Sequence, residues 1–264
     1  MITGGTSGIG FAIAERFLQE GAARVILVGR SQQRLSNAAA RLGAPPEETD
    51  GNGSDVLATR APENQQLTPG LDGDGQQTQS NGRVGLLVGD VSEPGSWMRE
   101  LEKEMVNPAT LKCNIQYNIL ITSQQPVDIL INAAGVSPSN LLPKISPEDI
   151  SLTLRTNLEG AILTSRALVR ASVRSRSRTQ TNKAPQPPSK CIINISSLLA
   201  HKGGTGAVSY AASKAGLLGL TRSLAVEAAS SLRSGMIVRS NAIVPGYIDT
   251  PMIAGEFVCF HGDA

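Results

Sequence analysis

Residues 1–30, MITGGTSGIGFAIAERFLQEGAARVILVGR, decide how the rest of the chain is read. Thr3-Gly4-Gly5-Thr6-Ser7-Gly8-Ile9-Gly10 is a glycine-rich turn. The pattern of Ile9, Ala12, Ile13, Phe17 and Leu18 behind it predicts an amphipathic helix. Arg24–Gly29 (RVILVG) then predicts a buried strand. Glycines let a backbone come close to a pyrophosphate, and a helix N-terminus offers free N–H groups and the positive end of a dipole. A plain glycine turn capping a helix is the competing reading, but a strand directly after the helix makes this the start of a βαβ nucleotide-binding unit. The strand before the turn is reduced to Met1 and Ile2, so the first strand reads as clipped.

Outward from that unit, the same architecture repeats. An acidic residue at the tip of the second strand would bond a ribose 2′-hydroxyl and repel a 2′-phosphate. Here Gly29 is followed by Arg30 and Ser31, and a guanidinium can pair with a phosphate, so NADP is expected over NAD. A solvated surface arginine is the alternative. Residues 31–42 predict a second helix. Val84–Val91 predicts a strand ending at Asp90, a group suited either to an adenine amino group or to a helix N-cap. Residues 94–105 predict a helix. Val127–Gly135 predicts a strand that runs into Asn132-Ala133-Ala134-Gly135, whose small residues leave room for a flat ring and a ribose. Pro147–Val173 predicts one long helix interrupted by a polar Asn157. That Asn either faces solvent or marks a local distortion holding a water near Lys214. Lys190–Ser197 and Ile237–Val244 predict two further strands, and the loop Pro245-Gly246-Tyr247-Ile248-Asp249-Thr250 follows the last. Together these predict an α/β doubly wound parallel sheet with helices on both faces, in a single domain covering 1–264.

The reactive pair sits in VSYAASKAGLLGL, residues 208–220. Tyr210 and Lys214 at i and i+4 share one helix face, one turn apart. An ammonium beside a phenol favours the phenolate and makes proton transfer practical near neutral pH. Any Y-x-x-x-K on a helix can instead be surface decoration. Ser197, at a strand end thirteen residues earlier, can polarise a carbonyl oxygen. Ser196 is read as its structural neighbour.

Composition removes other classes. The 264 residues carry 24 basic and 22 acidic side chains, a formal charge of +2, so nothing calls for a nucleic acid or an anionic membrane. Cys113, Cys191 and Cys259 are too far apart for a disulfide framework, which suits a reducing compartment. Two histidines are too few for a metal site. No apolar run reaches membrane-spanning length. Three stretches, 43–83, 106–126 and 174–190, are rich in polar residues, Gly or Pro and are expected as disordered or loop insertions. The basic run in the third is expected to bind RNA weakly if at all.

With those residues in place, the chain resembles the short-chain dehydrogenase/reductase family. The matching residues are Thr3-Gly4-x-x-x-Gly8-Ile9-Gly10, Asp90, Asn132-Ala133-Ala134-Gly135, Asn157, Ser197, Tyr210-x-x-x-Lys214 and Pro245-Gly246, all in family order. Within the family it is most similar to the 3-oxoacyl-[acyl-carrier-protein] reductases and related carbonyl reductases. The resemblance implies a Rossmann-type fold and catalysis by Asn157, Ser197, Tyr210 and Lys214. It implies that NADP(H) is held by Gly4, Thr6, Ser7, Gly8, Ile9 and Gly10 at the pyrophosphate. Arg30, Ser31, Asp90, Val91, Asn132, Ala133, Ala134 and Gly135 would line the rest, and Tyr210, Lys214, Pro245, Gly246, Ile248 and Thr250 would meet the nicotinamide end. The implied substrate is a 3-oxoacyl thioester, small or carried on acyl carrier protein, reduced in fatty acid synthesis. A polyol, steroid or secondary metabolite is the alternative, as is a protein that binds cofactor without turnover. Family members are mostly homo-oligomers, in the cytoplasm or, for the related carbonyl reductases, the mitochondrial matrix. The tail IAGEFVCFHGDA resembles none of the family's substrate lid or final strand, so the last strand is expected to be missing and the gene reading to be incomplete or mis-spliced.

Overall fold

Aliphatic runs of four to seven residues alternate with helical stretches, and in a parallel sheet such runs are buried on both faces. The chain follows that rule. A computed structural model describes residues 1–43, 83–93, 95, 97–106, 126–178, 189–231 and 237–253. Within them lie six strands: β1 (Ile2–Thr3), β2 (Val25–Gly29), β3 (Val84–Val88), β4 (Ile129–Asn132), β5 (Ser189–Ile195) and β6 (Ile237–Ile243). They form one parallel sheet in the order β3-β2-β1-β4-β5-β6. The chain builds outward from β1 to β3, then returns to place β4 on the other side of β1. The order therefore reverses between β1 and β4, and a crevice opens there at the carboxyl ends of the strands.

The helices are α1 (Gly8–Gln19), α2 (Gln32–Gly43), α3 (Trp97–Val106), α4 (Pro147–Leu154), α5 (Gly160–Arg178), α6 (Leu199–Lys202) and α7 (Val208–Ser231). Strand alternation sorts the core into two layers. Ile26, Val28, Leu130 and Ile192 pack with Leu101 of α3, Leu168 of α5 and Ala228 of α7. Val25, Leu27 and Ile131 point the other way, onto Phe11 and Ala14 of α1 and Leu35 of α2. Ile9, Ile13, Phe17 and Leu18 of the expected α1 stripe pack against this layer beside the buried Phe11 and Ala14, while Ala12 is exposed. Start signals are explicit at α4, where Ser146 Oγ accepts from Asp149 N (3.0 Å) and donates to Asp149 Oδ2 (2.8 Å), with Pro147 in the first turn.

The stretch expected as one helix over 147–173 is divided. Between α4 and α5, residues Arg155–Glu159 form a turn of π-helix, and the Gly160 N–H reaches back five residues to Arg155 O. Asn157 lies in its middle and is buried, so the local distortion is there and the side chain does not face solvent. Of the expected insertions, 44–82, 107–125 and 179–188 fall outside the described residues. Inside them, α5 continues to Arg178 and β5 begins at Ser189, so part of 174–190 is regular structure. The start of the last expected strand is where it was read, at Ile237.

β1 is short, as its sequence suggests. Ile2 and Thr3 register against Leu27 and Val28 on one side and Ile131 and Asn132 on the other. The Met1 amine is buried and donates to Ile129 O at 2.8 Å. Burial pulls its pKa from 8.0 to about 5, an effect that nearby Asp128 partly offsets. Beside it, at the amino edge of the sheet, is a cavity of about 240 Å³ lined by Met1, Phe17, Ala22, Arg24, Asp128 and neighbours. None of the expected site residues reaches it.

Candidate active site

At the opposite, carboxyl edge, a cavity of about 260 Å³ gathers Gly4, Thr6, Ser7, Arg30, Ser31, Asp90, Val91, Ala134 and Gly135 from the expected set. Arg34, Val136 and Thr156 also line it and were not foreseen. The glycines make this shape possible. Gly4 has φ +68°, and a Cβ there would lie 2.7 Å from Ala134 Cα; a Cβ on Gly10 would lie 2.4 Å from Gly4 O. The turn thus packs against the ends of β1 and β4 with no space for a side chain. Thr3 reinforces the junction by accepting from Ala134 N at 3.3 Å. Unlike α4, α1 begins without a side-chain cap and has no acidic residue in its first turn. Its N-terminus is left to an anion, the arrangement a pyrophosphate uses.

The far end of the groove carries charge. Arg30, with a side chain 58% exposed, stands 3.8 Å from Asp90 Oδ2. Asp90 Oδ1 accepts from Ser92 N (2.9 Å) and Ser92 Oγ (2.7 Å). The N-cap reading of Asp90 fails, because α3 begins only at Trp97 and the carboxylate closes a local turn instead. Ser31 caps α2 by accepting from Arg34 N at 3.3 Å.

Asn132 has a different job from the expected ribose contact. It is buried, donating to Asn194 Oδ1 (2.9 Å) and Ser165 Oγ (3.2 Å) and accepting from Thr164 Oγ1 (2.8 Å). Asn194 in turn donates to Thr221 Oγ1 on α7 at 2.9 Å. This polar chain ties β4 and β5 to α5 and α7 beneath the site. Neither Asn132 nor Ala133 lines the cavity.

Tyr210 and Lys214 occupy one face of α7 as the i, i+4 spacing requires. Lys214 is 4% exposed, its Nζ 5.5 Å from the centre of the Tyr210 ring. It donates to Ile195 O at 2.8 Å, and Ser196 Oγ donates to Lys214 O at 2.8 Å, so the end of β5 grips the lysine twice. Burial lowers its pKa from 10.5 to about 8. Below that pH it is a desolvated cation beside a phenol. A Cβ on Gly135 would lie 3.3 Å from Asn157 Oδ1 and 3.5 Å from Lys214 Nζ, which puts the lysine head against the groove wall. Asn157, 1% exposed, accepts from Val136 N (2.8 Å) and donates to Val136 O (2.9 Å). Both N–H groups of its amide are used, by Val136 O and by Ser213 Oγ (3.0 Å). Ser197, half-buried at the end of β5, accepts from Leu199 N at 3.2 Å.

The loop after β6 approaches the end of β5 and the start of α1 at two points. Leu198 N donates to Pro245 O at 2.8 Å, and a Cβ on Gly8 would lie 3.3 Å from Thr250 Cγ2. Thr250 thereby faces the α1 N-terminus, while Gly246 and Ile248 are exposed. No group of three metal-ligating side chains occurs among the described residues, and no helix there is long and apolar enough to cross a membrane.

A sequence profile described as short chain dehydrogenase matches residues 1–66 and 112–257. The chain belongs to the short-chain dehydrogenase family. As a short-chain dehydrogenase it is an oxidoreductase of a family that binds NAD(P). It is 28% identical over 255 residues to a 3-oxoacyl-[acyl-carrier-protein] reductase of Chlamydia muridarum, covering 97% of this chain and 75% of that one. A rat 3-oxoacyl-[acyl-carrier-protein] reductase is 36% identical over 127 residues, 48% of this chain and 46% of that protein. A dog (3R)-3-hydroxyacyl-CoA dehydrogenase is 29% identical over 252 residues, covering 96% and 74%. Among solved structures, a putative NAD(P)-dependent gluconate 5-dehydrogenase from Beutenbergia cavernae with bound NADP superposes with a TM-score of 0.65 at 26% identity, over 98% of this chain and 76% of that one.

Ser213 went unremarked in the sequence. It is fully buried between Tyr210 and Lys214 on α7, and it bonds both Asn157 and the Tyr210 carbonyl. The available signal was a hydroxyl inside an Ala- and Leu-rich helix, one residue before the lysine.

Proposed function

We propose that this short-chain dehydrogenase uses NADPH to reduce a ketone, a 3-oxoacyl thioester, to the 3-hydroxy compound. The observation that carries the reading is the buried Lys214 ammonium, gripped by the end of β5, one helical turn from Tyr210 and against the Gly135 wall of the groove. The groove suits a dinucleotide. Gly4 admits close backbone approach, the uncapped α1 N-terminus would hold the pyrophosphate, and Arg30 with Arg34 at the far end would meet a 2′-phosphate. NADPH, when bound, supplies the hydride. The chain's own part is protonic and positional. The Lys214 cation stabilises the Tyr210 phenolate, so the hydroxyl releases its proton to the developing alkoxide. The Ser197 hydroxyl orients the carbonyl oxygen toward Tyr210. Asn157 holds the backbone of the groove wall at Val136.

The acyl assignment draws support from the names of the relatives in Chlamydia muridarum, rat and dog, which act on the same β-carbon chemistry. Apolar side chains also stand exposed beyond the carboxyl ends of two strands: Leu141 and Leu142 after β4, and Tyr247 and Ile248 after β6. Such a rim suits an acyl chain, free as a small thioester or presented on acyl carrier protein. The setting proposed with it is a homo-oligomer in the cytoplasm or mitochondrial matrix. The test is oxidation of NADPH by an acetoacetyl thioester, followed by absorbance. Turnover that Tyr210→Phe abolishes, with NADPH binding retained, supports the assignment; turnover that survives the substitution removes Tyr210 from its role.

A further inference from the structure

We propose that Ser213 is a positioning residue that couples the cofactor groove to the turn of α7 carrying Tyr210. The proposal rests on the reductase reading for its kinetic arm alone. Ser213 Oγ donates to Tyr210 O at 2.7 Å and accepts from Asn157 Nδ2 at 3.0 Å. Asn157 clasps Val136 by both its N–H and its C=O, and Val136 lines the groove. An unbroken chain of hydrogen bonds therefore runs from the groove wall through the π-helical turn to the backbone of the proton donor. Every link except the tyrosine is buried or part of the wall.

The geometry separates this role from simple packing. Removing the hydroxyl strands one group only, the second N–H of the buried Asn157 amide, whose acceptor is Ser213 Oγ. Asn157 Nδ2 keeps its bond to Val136 O, and the Tyr210 carbonyl keeps the i→i+4 bond of its helix. With one buried N–H left unpaired, Ser213→Ala is expected to fold with reduced stability, and it lets the Tyr210 turn settle independently of the π-helical turn. Lys214 remains held by Ile195 O and Ser196 Oγ, so the perturbation falls on the relation of Tyr210 to the groove.

Three proteins test this: the full chain, Ser213→Ala and Ser213→Thr, the last keeping the hydroxyl. A misplacement of the donor by less than an ångström costs about ten- to a hundredfold in rate. The expected result for Ser213→Ala is a kcat reduced by that factor with the NADPH dissociation constant within about twofold of the parent, and recovery in Ser213→Thr. In parallel, the chain is labelled at tyrosine Cζ, with the Tyr210 resonance assigned by Tyr210→Phe. That resonance should move in Ser213→Ala, return in Ser213→Thr, and leave Tyr247 in place. This second arm needs no turnover. A parent chain silent toward NADPH and thioester would defeat the reductase reading and still leave the coupling decided by the resonance. An unmoved Tyr210 signal, or losses of kcat and cofactor binding in equal measure that threonine fails to restore, overturns the proposal.

Discussion

Replacing Lys214 by methionine should make the apo protein more stable at neutral pH and remove its activity. Lys214 is almost wholly buried, and its pKa falls from 10.5 to about 8. A cation whose folded pKa is lowered binds its proton less tightly in the folded state than in the unfolded one. Its stabilising contribution is complete above pH 10.5 and is lost as the pH falls from there to about 8. At pH 7 both states are protonated, and the shift amounts to about 3 kcal/mol against folding. Methionine has similar length and no charge, so it relieves that cost. It also forfeits the bond to Ile195 O, about 1–2 kcal/mol. The balance is a stabilisation of about 1–2 kcal/mol at pH 7, or a few degrees in Tm for a chain of this size. At pH 10.5 and above the parent carries no penalty, so the difference should reverse sign. Urea unfolding of both proteins at pH 7 and at the highest pH that leaves the fold intact measures it. A methionine variant less stable than the parent at pH 7, or a difference indifferent to pH, would refute the argument that desolvation dominates this site. The variant's loss of turnover then identifies stability given up for chemistry, a common trade at active sites.

Other expectations follow from the same contacts. The Met1 amine, with its pKa lowered from 8.0 to about 5, contributes stability that is complete above pH 8 and falls as the pH drops toward 5, by up to about 1.4 kcal/mol per unit. Two apolar residues placed ahead of Met1 should remove that slope in a thermal scan across pH and partly fill the adjacent cavity. Arg30→Ala should weaken NADPH binding about tenfold or more in a calorimetric titration and leave NADH binding unchanged, since a charge-assisted bond contributes about 1.5–3 kcal/mol. Ser146→Ala removes the cap of α4 and should lower stability by about 1 kcal/mol in urea unfolding without altering cofactor affinity.

The parts of this structure visible in the sequence are those set by period and spacing. The glycine turn, the RVILVG run and the Tyr210/Lys214 pair depend on local backbone geometry, and each stands where its pattern placed it. Residues whose meaning depends on a distant partner were harder to read. Asn132 follows an apolar strand and precedes small residues, which suits a ligand contact equally well. Only the arrival of Asn194, 62 positions later, shows that its amide is used within the sheet. Asp90 could serve adenine or cap a helix, and its capping of Ser92 instead depends on α3 starting seven residues on. The π-helical turn was half legible: a polar Asn157 in an apolar helix demands a reason, but the grip of Val136 comes from another strand end. Ser213 gave almost no signal, because a serine among alanines scores much like any helix residue. The burial of Phe11 and the exposure of Ala12 on α1 have the same origin: a hydrophobic period locates a face to within about a residue, and packing sets the rest.

The short central strand has a consequence for how this molecule assembles. β1 joins β2 within the first thirty residues, but its other partner is β4, and the bond from Met1 to Ile129 spans 128 positions. Each half of the sheet can gather its strands from nearby chain, whereas the seam between them must wait for the most distant contact in the sheet and then holds by two residues of ladder. Non-local closure of this kind sets the pace of folding in parallel sheets. The crevice lies on that seam, so a dinucleotide bound there would touch both halves and act as a clamp across the joint that closes last. Cofactor concentration should then govern how often the two halves part, making the population of opened molecules a function of the ligand supply.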